Sequence, residues 1–121
     1  MLRNLLKAKI HRAVVTRADL NYEGSISIDQ DLLDASEIVP FEAVHVWNIN
    51  TGARLETYVL SAERGSGKIC LNGAAARCVQ VGDLVIIAAF CHLEENDIPK
   101  HQPRIVLVDE ANRPLVRVGT H

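Results

Sequence analysis

The sequence contains two glycine-serine pairs, Gly24-Ser25 within NYEGSISID and Gly65-Ser66 within AERGSGK. A serine hydroxyl can attack the carbonyl of the residue before it and turn that amide into an ester, provided a strained backbone holds the oxygen close. Glycine ahead of the serine lowers the steric obstacle to such a geometry. On residue types alone both pairs read first as turns, where Gly and Ser are favoured. Gly24-Ser25 keeps the reactive reading open as well, because it leads into the alternating run Ile26-Ser27-Ile28-Asp29. Gly65-Ser66 belongs to Arg64-Gly65-Ser66-Gly67-Lys68, which resembles a phosphate-binding loop but carries Ala62 and Ile69 where that pattern needs Gly and Ser or Thr. We read it as a turn.

The planar fork of Arg54 suits a bidentate carboxylate. Lys9 and His11 share a strand face by period two, together with Ala13 and Val15, while Ile10, Arg12, Val14 and Thr16 take the other face. Taken alone, Lys9 reads as a solvated surface charge. No spacing supports a metal site: Cys91 and His92 are adjacent, and His11, His45, His101 and His121 are scattered.

The elements that must position these groups are mostly strands. Lys9 to Thr16 and Ser25 to Ile28 alternate, and Asp29 looks like the N-cap of a short helix from Gln30 to Ala35. Ala43 to Ile49 and Arg54 to Ser61 flank Asn50-Thr51-Gly52, which is hairpin chemistry because Asn and Gly accept positive φ. Further strands are expected at Lys68 to Leu71, Leu84 to Leu93, Arg104 to Val108 and Leu115 to Val118, with a helical turn opening at Asn72. About seven short strands at this spacing predict a mainly β chain, a small barrel or sandwich with a few short helices. Leu84 to Phe90 reads as covered on both faces, which a closed barrel or a subunit interface would supply. Trp47 and Phe90 are expected in the core or an interface. Glu63 and Arg64 could brace the 65 to 68 turn, and the last few residues are expected to be loose.

At 121 residues the chain reads as a single domain, 1–121. A net charge of -2 and a pI near 6.2 argue against a nucleic-acid binder. The apolar run Leu84 to Cys91 falls far short of the roughly 20 residues that a membrane helix needs. The first 18 residues carry Arg3, Lys7, Lys9, Arg12 and Arg17 and no acid, but they lack a small-residue cleavage site and a long apolar stretch, so we read them as part of the fold. Three cysteines, Cys70, Cys78 and Cys91, are an odd number that points to a reducing, cytoplasmic setting and to buried small hydrophobes.

Tyr22, Glu23-Gly24-Ser25, Trp47-Asn48, Arg54, Thr57-Tyr58, Ala62-Glu63-Arg64-Gly65-Ser66, Asn72-Gly73-Ala74-Ala75-Ala76 and Val81-Gly82-Asp83, with Lys9 and His11, together resemble the pyruvoyl-dependent L-aspartate α-decarboxylases. The pieces YEGS, TY, AERGS and NGAAA in this order and spacing are specific, and the similarity runs from Met1 to about residue 92. The resemblance implies a double-psi β-barrel subunit in a homotetramer, made as an inactive chain. Ser25 attacks the Gly24 carbonyl, residues 1–24 (the β chain) are released from residues 25–121 (the α chain), and position 25 becomes a pyruvoyl group. That group forms a Schiff base with L-aspartate and supplies the electron sink for its decarboxylation to β-alanine, the precursor for pantothenate and coenzyme A.

By the same resemblance, Tyr58 is the proton donor, a role that suits a phenol because it holds its proton at neutral pH. Thr57, Gly73, Ala74 and Ala75 contact the substrate, Asn72 is a polar partner in the pocket, Arg54 and Lys9 meet the carboxylates, and His11 and Tyr22 support them. Thr57 and Tyr58 are neighbours in a strand and point to opposite faces, so one pocket can use both only at a bulge, at a strand end or between subunits. Some relatives mature with a helper protein, and the sequence leaves open whether this chain does. Two other readings stay open at this stage: a non-catalytic β-barrel binding module, and a pyruvoyl decarboxylase of a related acidic amino acid.

Overall fold

A computed structural model describes residues 1–118, without the side chains of residues 116 to 118. His121 and the last residues, expected to be loose, lie outside the described part. The strands are β1 (Leu2–Val14), β2 (Arg17–Asp19), β3 (Ser25–Asp29), β4 (Ala43–Asn48), β5 (Arg54–Ala62), β6 (Ile69–Asn72), β7 (Leu84–Glu94), β8 (Arg104–Val108) and β9 (Pro114–Val118). They are joined by α1 (Gln30–Ser36) and by the 3₁₀ turns Gly73–Cys78 and Glu95–Lys100. All nine form one sheet in the order β2-β6-β3-β5-β4-β7-β1-β8-β9, a mainly β, barrel-like arrangement whose ladder is not closed. Ile10, Ile26, Ile28, Leu33, Val46 and Ile87 meet in its core.

The first strand starts earlier than its alternation suggests and contains two irregularities. The second, between His11 and Ala13, leaves Arg12 as an extra residue at φ +68°. This bulge resets the alternation. Ala13 and Val15, expected to share a face with Lys9 and His11, are fully buried like Ala8 and Ile10, whereas Lys9 and His11 stay half-buried. β7 runs between β1 and β4, and its consecutive Ala88 and Ala89 are both fully buried, so both faces are covered there as expected.

The second glycine-serine loop has a structural job. Asp29 ends β3 and caps α1 by accepting from the Asp31 amide at 2.8 Å, and it also accepts from the Gly65 and Gly67 amides at 3.0 and 2.8 Å. The loop that looks like a phosphate cradle therefore does hold an anion, the chain's own carboxylate. Arg64 pairs with Asp31 and Asp34 of α1 at 2.8 and 2.6 Å, which docks the loop on the helix in addition to any bracing of the turn. In the turn between β8 and β9, the buried Asn112 grips Val14 from both sides, accepting from its amide at 2.7 Å and donating to its carbonyl at 2.8 Å, and also donates to the Gly67 carbonyl at 2.8 Å. The C-terminal segment thus closes over the end of β1.

Candidate active site

β3 begins at Ser25, between β5 on one side and β6 on the other. Ser25 is fully buried and stands directly opposite Asn72 in the antiparallel β3/β6 ladder. The Asn72 side-chain amide donates to Ser25 Oγ at 2.9 Å and to Ser27 Oγ at 3.1 Å. The Ser25 hydroxyl in turn donates to the Glu23 carbonyl at 3.2 Å. A bond to the carbonyl two residues back folds the hydroxyl over Gly24, the residue whose carbonyl it would have to attack.

Backbone strain falls at a different glycine from the one expected. Gly24 lies outside the left-handed region, and a Cβ there would meet nothing within 4 Å among the described residues. Gly73 instead has φ +63°, and a Cβ on it would lie 2.6 Å from the Gly24 nitrogen and 2.7 Å from the Tyr22 carbonyl oxygen. Only glycine fits there, and its bare Cα lets the 22–24 segment rest on the start of the Gly73–Cys78 turn. That turn is fastened at its far end by Asn48, whose amide donates to the Cys78 carbonyl at 3.1 Å and to Asp83 at 2.8 Å. The Asn48 bond, followed by that from the Gln80 amide, holds the Asp83 carboxyl below its ordinary pKa.

A cavity of about 470 Å³ opens beside Gly24, lined by Thr57, Tyr58, Ala74 and Ala75 together with Leu55, Glu56 and Cys78. The adjacency of Thr57 and Tyr58 is no obstacle, and the ladder shows why. β4 pairs with β5 from Arg54 to Tyr58, whereas β3 pairs with it only from Val59 to Ala62. Along Leu55 to Tyr58 the β3 side of β5 is therefore an open edge, and residues of either parity can border the space there.

Other expected site residues lie apart from this cavity within one chain. Arg54 stacks over Trp47 at 4.9 Å and lines a neighbouring cleft of about 390 Å³ with His45, Trp47, Leu55 and Glu56. Trp47 and Phe90 are half-buried and pack around His45. Lys9 and His11 sit on β1, with β5, β4 and β7 between them and β3 in the ladder. Burial, then Lys9 and Arg12, push the His11 pKa down, and its buried Nδ1 has no hydrogen-bond partner among the described residues. Tyr22 is largely exposed and borders a polar cleft of about 490 Å³ shared by Arg17, Ser27, Lys68, Cys70 and Asn72. Neither Ser27 nor Cys70 is a site residue by the sequence reading, although each lies two residues from one and so on the same strand face. Cys70 is buried as expected, while Cys78 and Cys91 are only partly so.

These positions can be set against known proteins. The chain is 61% identical over 113 residues to the aspartate 1-decarboxylase of Leptothrix cholodnii, covering 93% of this chain and 86% of that protein. It is 58% identical over 111 residues to that of Legionella pneumophila, covering 92% and 84%. It is 50% identical over 115 residues to that of Thermoanaerobacter pseudethanolicus, covering 95% and 98%. The profile of the aspartate decarboxylase family matches residues 1–115, well past residue 92 where the motif-based resemblance stopped. A family match spanning every element up to the start of β9, including the strand that carries Ser25 and the turn that carries Gly73, makes the chain a member of the aspartate decarboxylase family of lyases.

Proposed function

We propose that the chain matures by cutting itself between Gly24 and Ser25 and then decarboxylates L-aspartate to β-alanine and carbon dioxide, supplying β-alanine for pantothenate and coenzyme A. Ser25 Oγ bonds to the Gly24 carbonyl carbon as the carbon-nitrogen bond breaks, and the hydroxyl proton ends on the freed nitrogen. Elimination then leaves a carboxylic acid on Gly24 and a dehydroalanine at position 25. Water adds, ammonia leaves, and a pyruvoyl group heads residues 25–121, with 1–24 as the second fragment. The observation that carries this reading is the Ser25 hydroxyl, buried, folded back toward Glu23 and held by Asn72.

The residues present fit the making of such a group: Ser25 supplies its carbons, Asn72 holds Ser25 Oγ, the oxygen that departs with Gly24, and a cavity adjoins the bond at Gly24. Once formed, that group would supply a ketone for the substrate amine and a sink for the electrons released with carbon dioxide. Tyr58 holds a proton at its phenol oxygen for the carbon that loses the carboxylate. Thr57, Gly73, Ala74 and Ala75 shape the space and orient the substrate. Arg54 and Lys9, with His11 and Tyr22 in support, are proposed to reach the site from a neighbouring subunit of a homotetramer. An open cavity within one chain, with the carboxylate-binding cations elsewhere on its surface, supports that assembly. The enzyme is proposed to work in the cytoplasm, whether or not a helper protein assists maturation.

Intact-protein mass spectrometry tests the proposal. The expected products are a fragment ending at Gly24 and a pyruvoyl-blocked fragment starting at residue 25 that reacts with carbonyl reagents, in a preparation that makes β-alanine from aspartate. A chain that stays whole and makes no β-alanine defeats the proposal, and a cut after Gly65 shows that the wrong pair was chosen.

A further inference from the structure

We infer that Cys70 is a positioning residue for Ser25, its thiol fixing which end of the Asn72 amide faces the serine hydroxyl. The inference rests on the self-cleavage reading above. Ser25 pairs with Asn72 and Ser27 with Cys70 across the β3/β6 ladder, so all four side chains leave the sheet on one face. Asn72 is almost fully buried there, and its amide must find its partners within this group.

Two of those partners leave the amide's direction open. The hydroxyls of Ser25 and Ser27 can each donate or accept, so they could satisfy the amide's NH₂ end or, after a half-turn, its carbonyl end. Cys70 differs from them. Its Sγ lies 3.1 Å from Asn72 Oδ1, and the other oxygen in reach, the Leu71 carbonyl, is at 4.0 Å. A thiol donates through its S–H, whereas sulfur is only a weak acceptor for an amide. Burial pushes the Cys70 pKa up, so the donated proton stays on sulfur at neutral pH. With Oδ1 held by the thiol, both amide hydrogens face the two serine oxygens. The Ser25 proton is then directed to the Glu23 carbonyl, and the hydroxyl stays folded over Gly24. After a half-turn of the amide, Ser25 would donate to Oδ1 and its hydroxyl would turn away from the bond to be cut.

The test compares full-length wild type, Cys70→Ser and Cys70→Val, following loss of the intact chain by mass spectrometry over time. Serine keeps a donor at this position, and valine keeps the bulk without one. Cys70→Val is expected to mature about fivefold more slowly, the equivalent of one ordinary hydrogen bond, and Cys70→Ser within about twofold of wild type. Both substitutions disturb packing and only one restores the donor, so rescue by serine separates positioning from a folding defect. Equal slowing in both variants, or valine maturing at the wild-type rate, overturns the inference while leaving the self-cleavage reading intact. An uncut wild-type chain overturns both.

Discussion

Gly73 and Gly24 are in contact so close that no methyl group fits between them, since a Cβ on Gly73 would stand 2.6 Å from the Gly24 nitrogen and 2.8 Å from its Cα. The pocket turn and the bond proposed to break are thus set against each other by one missing side chain. Gly73→Ala must push the 22–24 segment away, and it also places alanine in the left-handed region at a cost of about 1–2 kcal/mol. The expected result is a folded chain that remains uncut, seen as a single intact mass. Normal fragment formation in Gly73→Ala would show that this contact does not set the geometry of the cut.

Tyr58 borders the cavity beside Gly24 from the open edge of β5. Tyr58→Phe removes the phenol proton and little else. Turnover per pyruvoyl-bearing chain should fall by roughly 100-fold to 10,000-fold, the usual range for a lost general acid. Counting carbonyl-reactive chains separates this loss from any change in maturation. Undiminished β-alanine formation per reactive chain would assign the proton to another group.

Asp29 is 1% exposed and accepts from three backbone amides, at Asp31, Gly65 and Gly67. Asp29→Ala leaves those donors without their acceptor and uncaps α1, which should cost about 3 kcal/mol. Denaturant unfolding in a Ser25→Ala background, which blocks the proposed cut, measures this cleanly. A loss below about 0.5 kcal/mol, the level of an ordinary surface substitution, would mean that water replaces the carboxylate in that loop.

Acid should loosen the far end of the pocket turn. Asp83 has its folded-state pKa lowered by hydrogen bonds from Asn48 and the Gln80 amide. A carboxyl with a depressed folded value contributes its stability in full above the ordinary value of 3.8, and that contribution is lost as the pH falls through the lower folded value. Asp34 acts in the same direction through Arg64 and then Gln30. Thermal unfolding scans below pH 4 should therefore show a flatter acid-side decline for Asp83→Asn than for the parent chain. Parallel curves would remove Asp83 as a contributor.

How much of this was legible in the sequence depends on whether a feature is local. Asn50-Thr51-Gly52 announced its hairpin because the turn needs a residue at positive φ, and Gly52 stands at φ +80°. Asp29 announced its helix because a cap acts on the amide two residues on. The bulge at Arg12 could not be read, since arginine has no preference for the left-handed region and its conformation is imposed by pairing with β7. β8 lies parallel to β1 across more than ninety residues of chain, a pairing no local pattern encodes. Ser25, Thr57, Tyr58 and Asn72 could be named from their motifs. The cavity that Thr57 and Tyr58 border beside Gly24 could not, because it exists only where β3 starts later along β5 than β4 does. Arg54 and Lys9 bear charges suited to a dicarboxylate, yet one chain alone does not carry them to that cavity.

β1 is held by β7 along nearly its whole length and by β8 on its other edge, while β2 lies against β6. A cut after residue 24 would sever the covalent link between these strands and β3 but none of that pairing. The short piece would stay in the sheet as two resident strands, and the mature protein would be a split protein held by strand complementation. Its refolding after denaturation would then follow mass action between two fragments, and dilution during recovery would cost it more yield than it costs the uncut precursor, whose subunit folds from one chain.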